Sequence, residues 1–320
     1  MLRKMSLRKI SIASLALFAL MLLYLMPDSN NFKINLDNSD VSYVYDNSME
    51  VIYLIDSNDY VARTVIKGCD CDKVDTARDV LNGLIIDGKK NDIIPNGFRS
   101  IIPSDAEILD LNLDNGILTI NFSHEFLDVS SKYEEKMLEA IIYSMTSIKG
   151  IDKVVIMVEG EVLNRLPNSG KSIPSSLDRS YGINKVYELN NTFNIDSYTI
   201  YYSSSYNDYN YYVPVTKYIN NEKQDKVKII ISELSTSPLY ETNLMSYLNA
   251  NTKLINYNLN DDVLSLNFNN SILNDSSNKI LEEVIYSVSL SINDLYTNVK
   301  EVDFLVEDKE IYKNLVKDIE

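Results

Sequence analysis

The sequence predicts an α+β protein: two tandem copies of a two-layer domain, each with two helices on a mostly antiparallel sheet, preceded by one N-terminal transmembrane helix. Three observations predict it. An uncharged run opens the chain, one strand–turn–strand pattern occurs twice, and a pair of helical patterns brackets each occurrence. The length of 320 residues suits two domains, since one usually takes about 100–200 residues. A hydrophobic fraction of 45% supplies two cores and argues against disorder.

The opening run is Ile10–Met26, which contains no charge. As a helix it would be about 26 Å long, at the short end of what spans a hydrocarbon core. Arg3, Lys4, Arg8 and Lys9 precede it, and the first acid, Asp28, follows. That polarity places the N-terminus in the cytoplasm and the bulk of the chain outside. Residues 1–26 therefore read as a single-pass signal anchor in the cell membrane, and 27–46 as a polar tether. A cleaved signal peptide would need small residues before its cut, and Leu25-Met26-Pro27-Asp28-Ser29 supplies none in the right places. A lipoprotein would need a cysteine just after the run, and the first is Cys69. A cleaved signal peptide and, behind it, a buried core helix are the remaining alternatives.

The chain carries 46 acidic and 30 basic side chains, a net charge of −16. Such a surface repels nucleic acid, which excludes that class of partner. The wealth of Asn, Ile, Lys and Tyr, with no Trp, fits the codon bias of an AT-rich genome.

The repeat is clearest at Ile108–Ser123 and Leu254–Asn269. Leu109, Leu111 and Leu113 alternate, then Leu118, Ile120 and Phe122, around Asp114-Asn115-Gly116. The second copy has Ile255, Tyr257 and Leu259, then Leu264, Leu266 and Phe268, around Asn260-Asp261-Asp262. Alternation around such turns predicts a β-hairpin with one buried face. A helix follows each hairpin, with Leu138, Ile141, Ile142 and Met145 in one copy and Leu281, Val284, Ile285 and Val288 in the other. Both contain Ile-Tyr-Ser, at Ile142–Ser144 and Ile285–Ser287. Ser131 and Glu134 suggest a capping box for the first, Asp275 or Ser276 a looser cap for the second. Strands close each copy at Val154–Val158 and Val302–Val306. Before each hairpin lies another helix, on Ala77, Val80, Leu81 and Leu84 or on Val227, Ile230, Ile231 and Leu234. Before that come two strands around Asn58–Tyr60 or Asn207–Tyr209. The domains are thus 47–160 and 198–320, joined by 161–197, a polar linker or wrapping arm.

These residues resemble tandem GerMN domains of sporulation and germination proteins. The resemblance rests on the Leu-Thr-Ile-Asn-Phe-Ser strand ending at Ser123 and on the Ile-Tyr-Ser helix. It rests also on Val158-Glu159-Gly160-Glu161, Leu166-Pro167 and Leu177-Asp178-Arg179. The second copy departs from it, with Asp308 where Gly160 stands and no Leu-Pro tail. The resemblance implies a fold like the ring-building motifs of secretion systems, and assembly with itself or with other proteins between two membranes. Familiar members are lipoproteins, so an uncleaved helix here would replace the lipid. The same domain occurs in lipoproteins that work with sensor kinases. The expectation is therefore a non-enzymatic, extracytoplasmic scaffold, facing the forespore envelope space, with envelope or sporulation-complex proteins or a second copy as partners. The alternative is a binding module for peptidoglycan or a membrane sensor.

Little in the sequence points to catalysis, and no cofactor or metal site is expected. His124, the single histidine, adjoins Glu125 as a general-base candidate, but Asn270 stands near its place in the second copy. Gly170-Lys171-Ser172 resembles the end of a P-loop without its leading glycine or its strand–helix context. Cys69 and Cys71 form a C-x-C for which a strained disulfide, an intermolecular bridge or free thiols all stay open. Tyr198, Tyr201, Tyr202, Tyr206, Tyr209, Tyr211 and Tyr212 could stack on glycans or pair across a hairpin, and pairing is the plainer reading.

Overall fold

The computed structural model describes residues 49–69, 71–207, 209–220, 224–236 and 242–315. The expected anchor Ile10–Met26 and its flanking Arg3, Lys4, Arg8 and Lys9 lie outside them. Among the described residues no helix is long and apolar enough to cross a membrane.

The first copy opens with β1 (Met49–Asp56) and β2 (Val61–Lys67), an antiparallel hairpin, and helix α1 (Lys73–Leu84). After the short strand β3 (Phe98–Arg99) come β4 (Ile108–Asp114), β5 (Ile117–Phe122), α2 (Glu134–Met145), β6 (Lys153–Val158) and β7 (Glu161–Val162). Past β8 (Val186–Glu188) the second copy repeats the order: β9 (Ile195–Tyr206), β10 (Tyr209–Asn220), α3 (Lys226–Ser235), β11 (Leu254–Asn260), β12 (Val263–Phe268), α4 (Glu282–Leu295) and β13 (Glu301–Val306). It ends on β14 (Lys309–Leu315), where the first copy has only β7.

One sheet per copy was expected, and the structure differs. Each copy keeps a mixed four-stranded sheet, β4-β5-β6-β7 or β11-β12-β13-β14, whose central pair runs parallel. Parallel neighbours follow from the helix between them, since a crossover returns the chain in the same direction. The first hairpin of each copy leaves that sheet. The two hairpins share a third one, in the order β3-β1-β2-β10, with β9 and β8 also on β10. The cores stay nearly separate. Copy one's core takes in buried Tyr201 and Leu290 from copy two, with Tyr212 and Tyr286 packed against it, and copy two's core takes in Ala62, with Tyr60 and Phe98 packed against it.

The apolar stripes of α1, α2 and α3 are buried as predicted, and so are Val284, Ile285 and Val288 of α4, whereas Leu281 precedes that helix as its N-cap and is half-buried. Asp72 and Asp225 cap α1 and α3 by accepting Val74 and Asp75 N–H, or Val227 and Lys228 N–H. The expected caps of α2 and α4 are absent. Their N-caps are Tyr133 and Leu281, without a side-chain bond, and Ser276 instead donates its N–H to Asn274. Glu134 is buried and turns away from Ser131 to accept N–H groups of Asn168 and Ser169, tying part of the linker to copy one. Burial opposes its charge, but these donors win and lower its pKa.

The hairpin faces also need correction. A β-bulge at Leu109 and another at Ile255 push both side chains out, 47% and 51% exposed, while Leu118, Ile120, Phe122, Leu264, Leu266 and Phe268 are buried. A third bulge falls at Ile311 in β14. All three strands are sheet edges, and a bulge there discourages strand addition.

Candidate functional site at the junction of the two copies

Equivalent residues of the two copies meet where their hairpins join. Strand β2 pairs antiparallel with its counterpart β10, Arg63 opposite Tyr212. The Tyr53 and Tyr201 hydroxyls, equivalent and both buried, hydrogen-bond at 2.9 Å. Tyr53 N–H donates to Ser144 Oγ, and Tyr201 N–H to Ser291 Oγ, each 2.9 Å. A serine of α2 or α4 thus satisfies a strand donor that the sheet leaves without a partner.

This symmetry corrects the helix alignment. Ser291, not Ser287 of the second Ile-Tyr-Ser, takes the role of Ser144, so the expected match is one helical turn out. Four residues nearly close a turn, so both alignments place apolar residues on one face.

Arg179 fastens the two copies. Its guanidinium reaches Asp294 of α4 at 2.8 Å, Thr146 and Ser147 beyond α2 at 3.1 and 2.9 Å, and lies over the Tyr143 ring. Burial works against its charge, but Tyr53, Tyr201 and Asp294 outweigh it and hold its pKa well above the usual arginine value. Asn184 is a second fastening, in the left-handed region at φ 45°. Its amide accepts Val61 N–H at 3.0 Å and donates to Val61 and Pro214 carbonyls, both at 2.8 Å, spanning β2 and β10. Its own N–H donates to Glu139, whose carboxyl burial pushes above the usual range against the opposing Lys185, 3.2 Å away. Neither Arg179 nor Asn184 was singled out for this role. Both sit in a polar stretch without periodicity, and the only signal was Leu177-Asp178-Arg179 in the resemblance.

A cationic cluster ties the first hairpin turn to α2. Asp59, at φ 67°, accepts from Arg99 and Lys132 at 2.5 Å each and from the Tyr133 hydroxyl at 3.2 Å. Lys136 donates to the Asp59 carbonyl. Lys132 foremost, with Arg99 and Tyr133, brings the Asp59 carboxyl down to about 2. Its stabilising contribution is complete above the ordinary 3.8 and fades as pH falls through about 2. A carboxyl-carbon NMR titration should give Asp59 a midpoint near 2. A midpoint at the ordinary value would show the cluster absent in solution.

The catalytic candidates do not come together. His124 begins a short 3-10 turn after β5 and donates its N–H to Glu159, an arrangement echoed by Asn270 Nδ2 on Glu307. Glu125 is held low by the Ser123 hydroxyl and its own backbone, the wrong direction for a general base at neutral pH. Lys171 pairs with Glu135 at 2.9 Å, and no helix follows the Gly170 turn. Among the described residues no group of three or more His, Cys, Asp or Glu could hold a metal. Tyr198, Tyr201, Tyr202 and Tyr211 are buried, and only Tyr206 and Tyr209 of the cluster face each other across the ladder. Tyrosine pairing therefore explains one couple, and core packing most of the rest. Cys69 and Cys71 lie between β2 and α1, their Cα atoms 5.3 Å apart and their sulfurs bonded. Along 186–195, Val186, Tyr187, Leu189, Phe193 and Ile195 form an exposed apolar strip, with Tyr187 60% and Phe193 74% exposed.

Known proteins resemble this arrangement. The family model Germane, described as sporulation and spore germination, matches residues 43–164 and again 199–312. The spore germination protein GerM of Bacillus subtilis (strain 168) is 32% identical over 267 residues, which are 82% of this chain and 72% of that protein. The solved tandem GerMN domains of the sporulation protein GerM from Bacillus subtilis superpose with a TM-score of 0.75 at 31% identity, covering 82% of this chain and 91% of the other.

Proposed function

The chain belongs to the Germane family of sporulation and spore germination proteins, and from that premise we propose that it is a non-enzymatic, membrane-anchored envelope scaffold supporting a sporulation or germination complex. The junction carries the reading. A shared sheet and buried polar fastenings make the duplicated units one stiff body, so partner binding costs little ordering entropy. Ile10–Met26 holds that body to the membrane, with Arg3, Lys4, Arg8 and Lys9 keeping the N-terminus in the cytoplasm. Partners are envelope or sporulation-complex proteins. The acidic surface favours one with a basic face over a second copy of this chain. The strip from Tyr187 to Ile195 is the first surface for such a contact.

An in-frame deletion in the source organism tests the role. Heat-resistant spores should fall by several orders of magnitude while vegetative growth stays normal, and the wild-type gene should restore them. Normal spore numbers with normal germination would sink the reading, and a peptidoglycan- or sensor-binding module would replace it.

A further inference from the structure

We propose that Cys69 and Cys71 form a thiol–disulfide exchange site whose substrate is a protein dithiol. They are the only cysteines of the chain, and their Cα separation of 5.3 Å lies inside the range of about 4.4–6.8 Å that a disulfide bridges. A bond between residues two apart closes a very short loop, and such a loop removes little entropy from the unfolded chain. It joins no separate elements, because both cysteines sit in the one segment between β2 and α1. The start of α1 is held independently, by the Asp72 carboxylate on Val74 and Asp75.

The second copy is an internal control. There β10 leads to α3, Asp225 caps that helix in the same way, and no cysteine is present. This fold therefore makes the strand-to-helix passage without sulfur, and the bond is not a staple. Its chemistry remains available. Cys71 is exposed and Cys69 half-buried, and exposed disulfides are the labile and exchangeable ones.

In the exchange, a partner thiolate attacks Cys71 Sγ. A mixed disulfide forms, the Cys69–Cys71 bond breaks, and Cys69 leaves as a thiolate. The second partner thiolate then attacks its neighbour's sulfur and expels Cys71. The partner's two thiols lose two electrons and become a disulfide. Cys69 and Cys71 gain those electrons and, through solvent, the two protons. Asp72 and Asp75 follow the pair in sequence, so small anionic thiols are repelled and a dithiol with basic neighbours is favoured. Oxidising surroundings rest on the extracytoplasmic reading above, whereas the equilibrium of the pair does not.

The test uses the full chain in detergent micelles, equilibrated with graded ratios of reduced to oxidised dithiothreitol, its thiols counted by maleimide mass tags. The pair should be half-reduced at a ratio about a thousandfold less reducing than a structural disulfide in a secreted control protein requires. The thermal unfolding midpoint should stay within about 5 °C on reduction. Resistance to reduction equal to the control, a larger fall in the midpoint, or two free thiols in protein isolated under air would each overturn the proposal.

Discussion

Replacing Arg179 by alanine should destabilise the full chain by about 3 kcal/mol in urea unfolding, since removing one partner of a buried ion pair leaves the other charge uncompensated. Asp294, its partner at 2.8 Å, is only 8% exposed in its side chain, so its carboxylate is left without its partner at a largely buried position. Thr146 and Ser147 lose a donor in the same step. Arg179→Lys should recover only part of the loss, because one ammonium cannot reach acceptors in both copies from the guanidinium's planar fork. An Arg179→Met, Asp294→Leu double variant should be much closer to wild type than Arg179→Ala, since it removes both charges together. An Arg179→Ala protein within about 0.5 kcal/mol of wild type would show that the junction does not depend on this pair.

Asn184→Ala should be comparably costly, at about 3 kcal/mol, because two effects add. Three hydrogen bonds to β2 and β10 are lost, and groups left unpaired in a buried junction cost about 1–3 kcal/mol. The backbone at φ 45° also strains alanine, by about 1–2 kcal/mol. Asn184→Gly separates the two. It relieves the backbone and leaves the bonds missing, so it should fall about 1 kcal/mol above the alanine variant and still below wild type. Equal stability of the glycine variant and wild type would mean that Asn184 serves the turn and not the junction.

Local order was legible where side chains repeat with a period. Leu118, Ile120 and Phe122, or Ala77, Val80, Leu81 and Leu84, mark their elements because burial selects every second or every third to fourth residue. Leu109 and Ile255 defeated the same rule, since a bulge inserts a residue without changing the apolar pattern. The shared sheet was illegible for a different reason. Pairing of β2 with β10 is backbone chemistry between distant segments, and nothing in Val61–Lys67 says which strand lies beside it. Arg179 and Asn184 were hidden by their setting, because a polar side chain in a linker looks the same whether it faces water or a buried carbonyl.

The pairing of equivalent strands across the junction has a consequence for how such chains can combine. An interface that joins like to like is isologous, and it is satisfied once two members have met. Here both members belong to one polypeptide, so the pairing is intramolecular and the chain behaves as a pre-closed dimer. Where β2 meets β10, at Arg63 and Tyr212, the two strands face each other inside the molecule. A further contact between chains has to use other faces, and where it joins unlike faces it is a heterologous contact. Such contacts either close a ring or extend a filament, and they have a direction. Duplication thereby takes this one pairing out of the contacts between chains and leaves assembly to other surfaces.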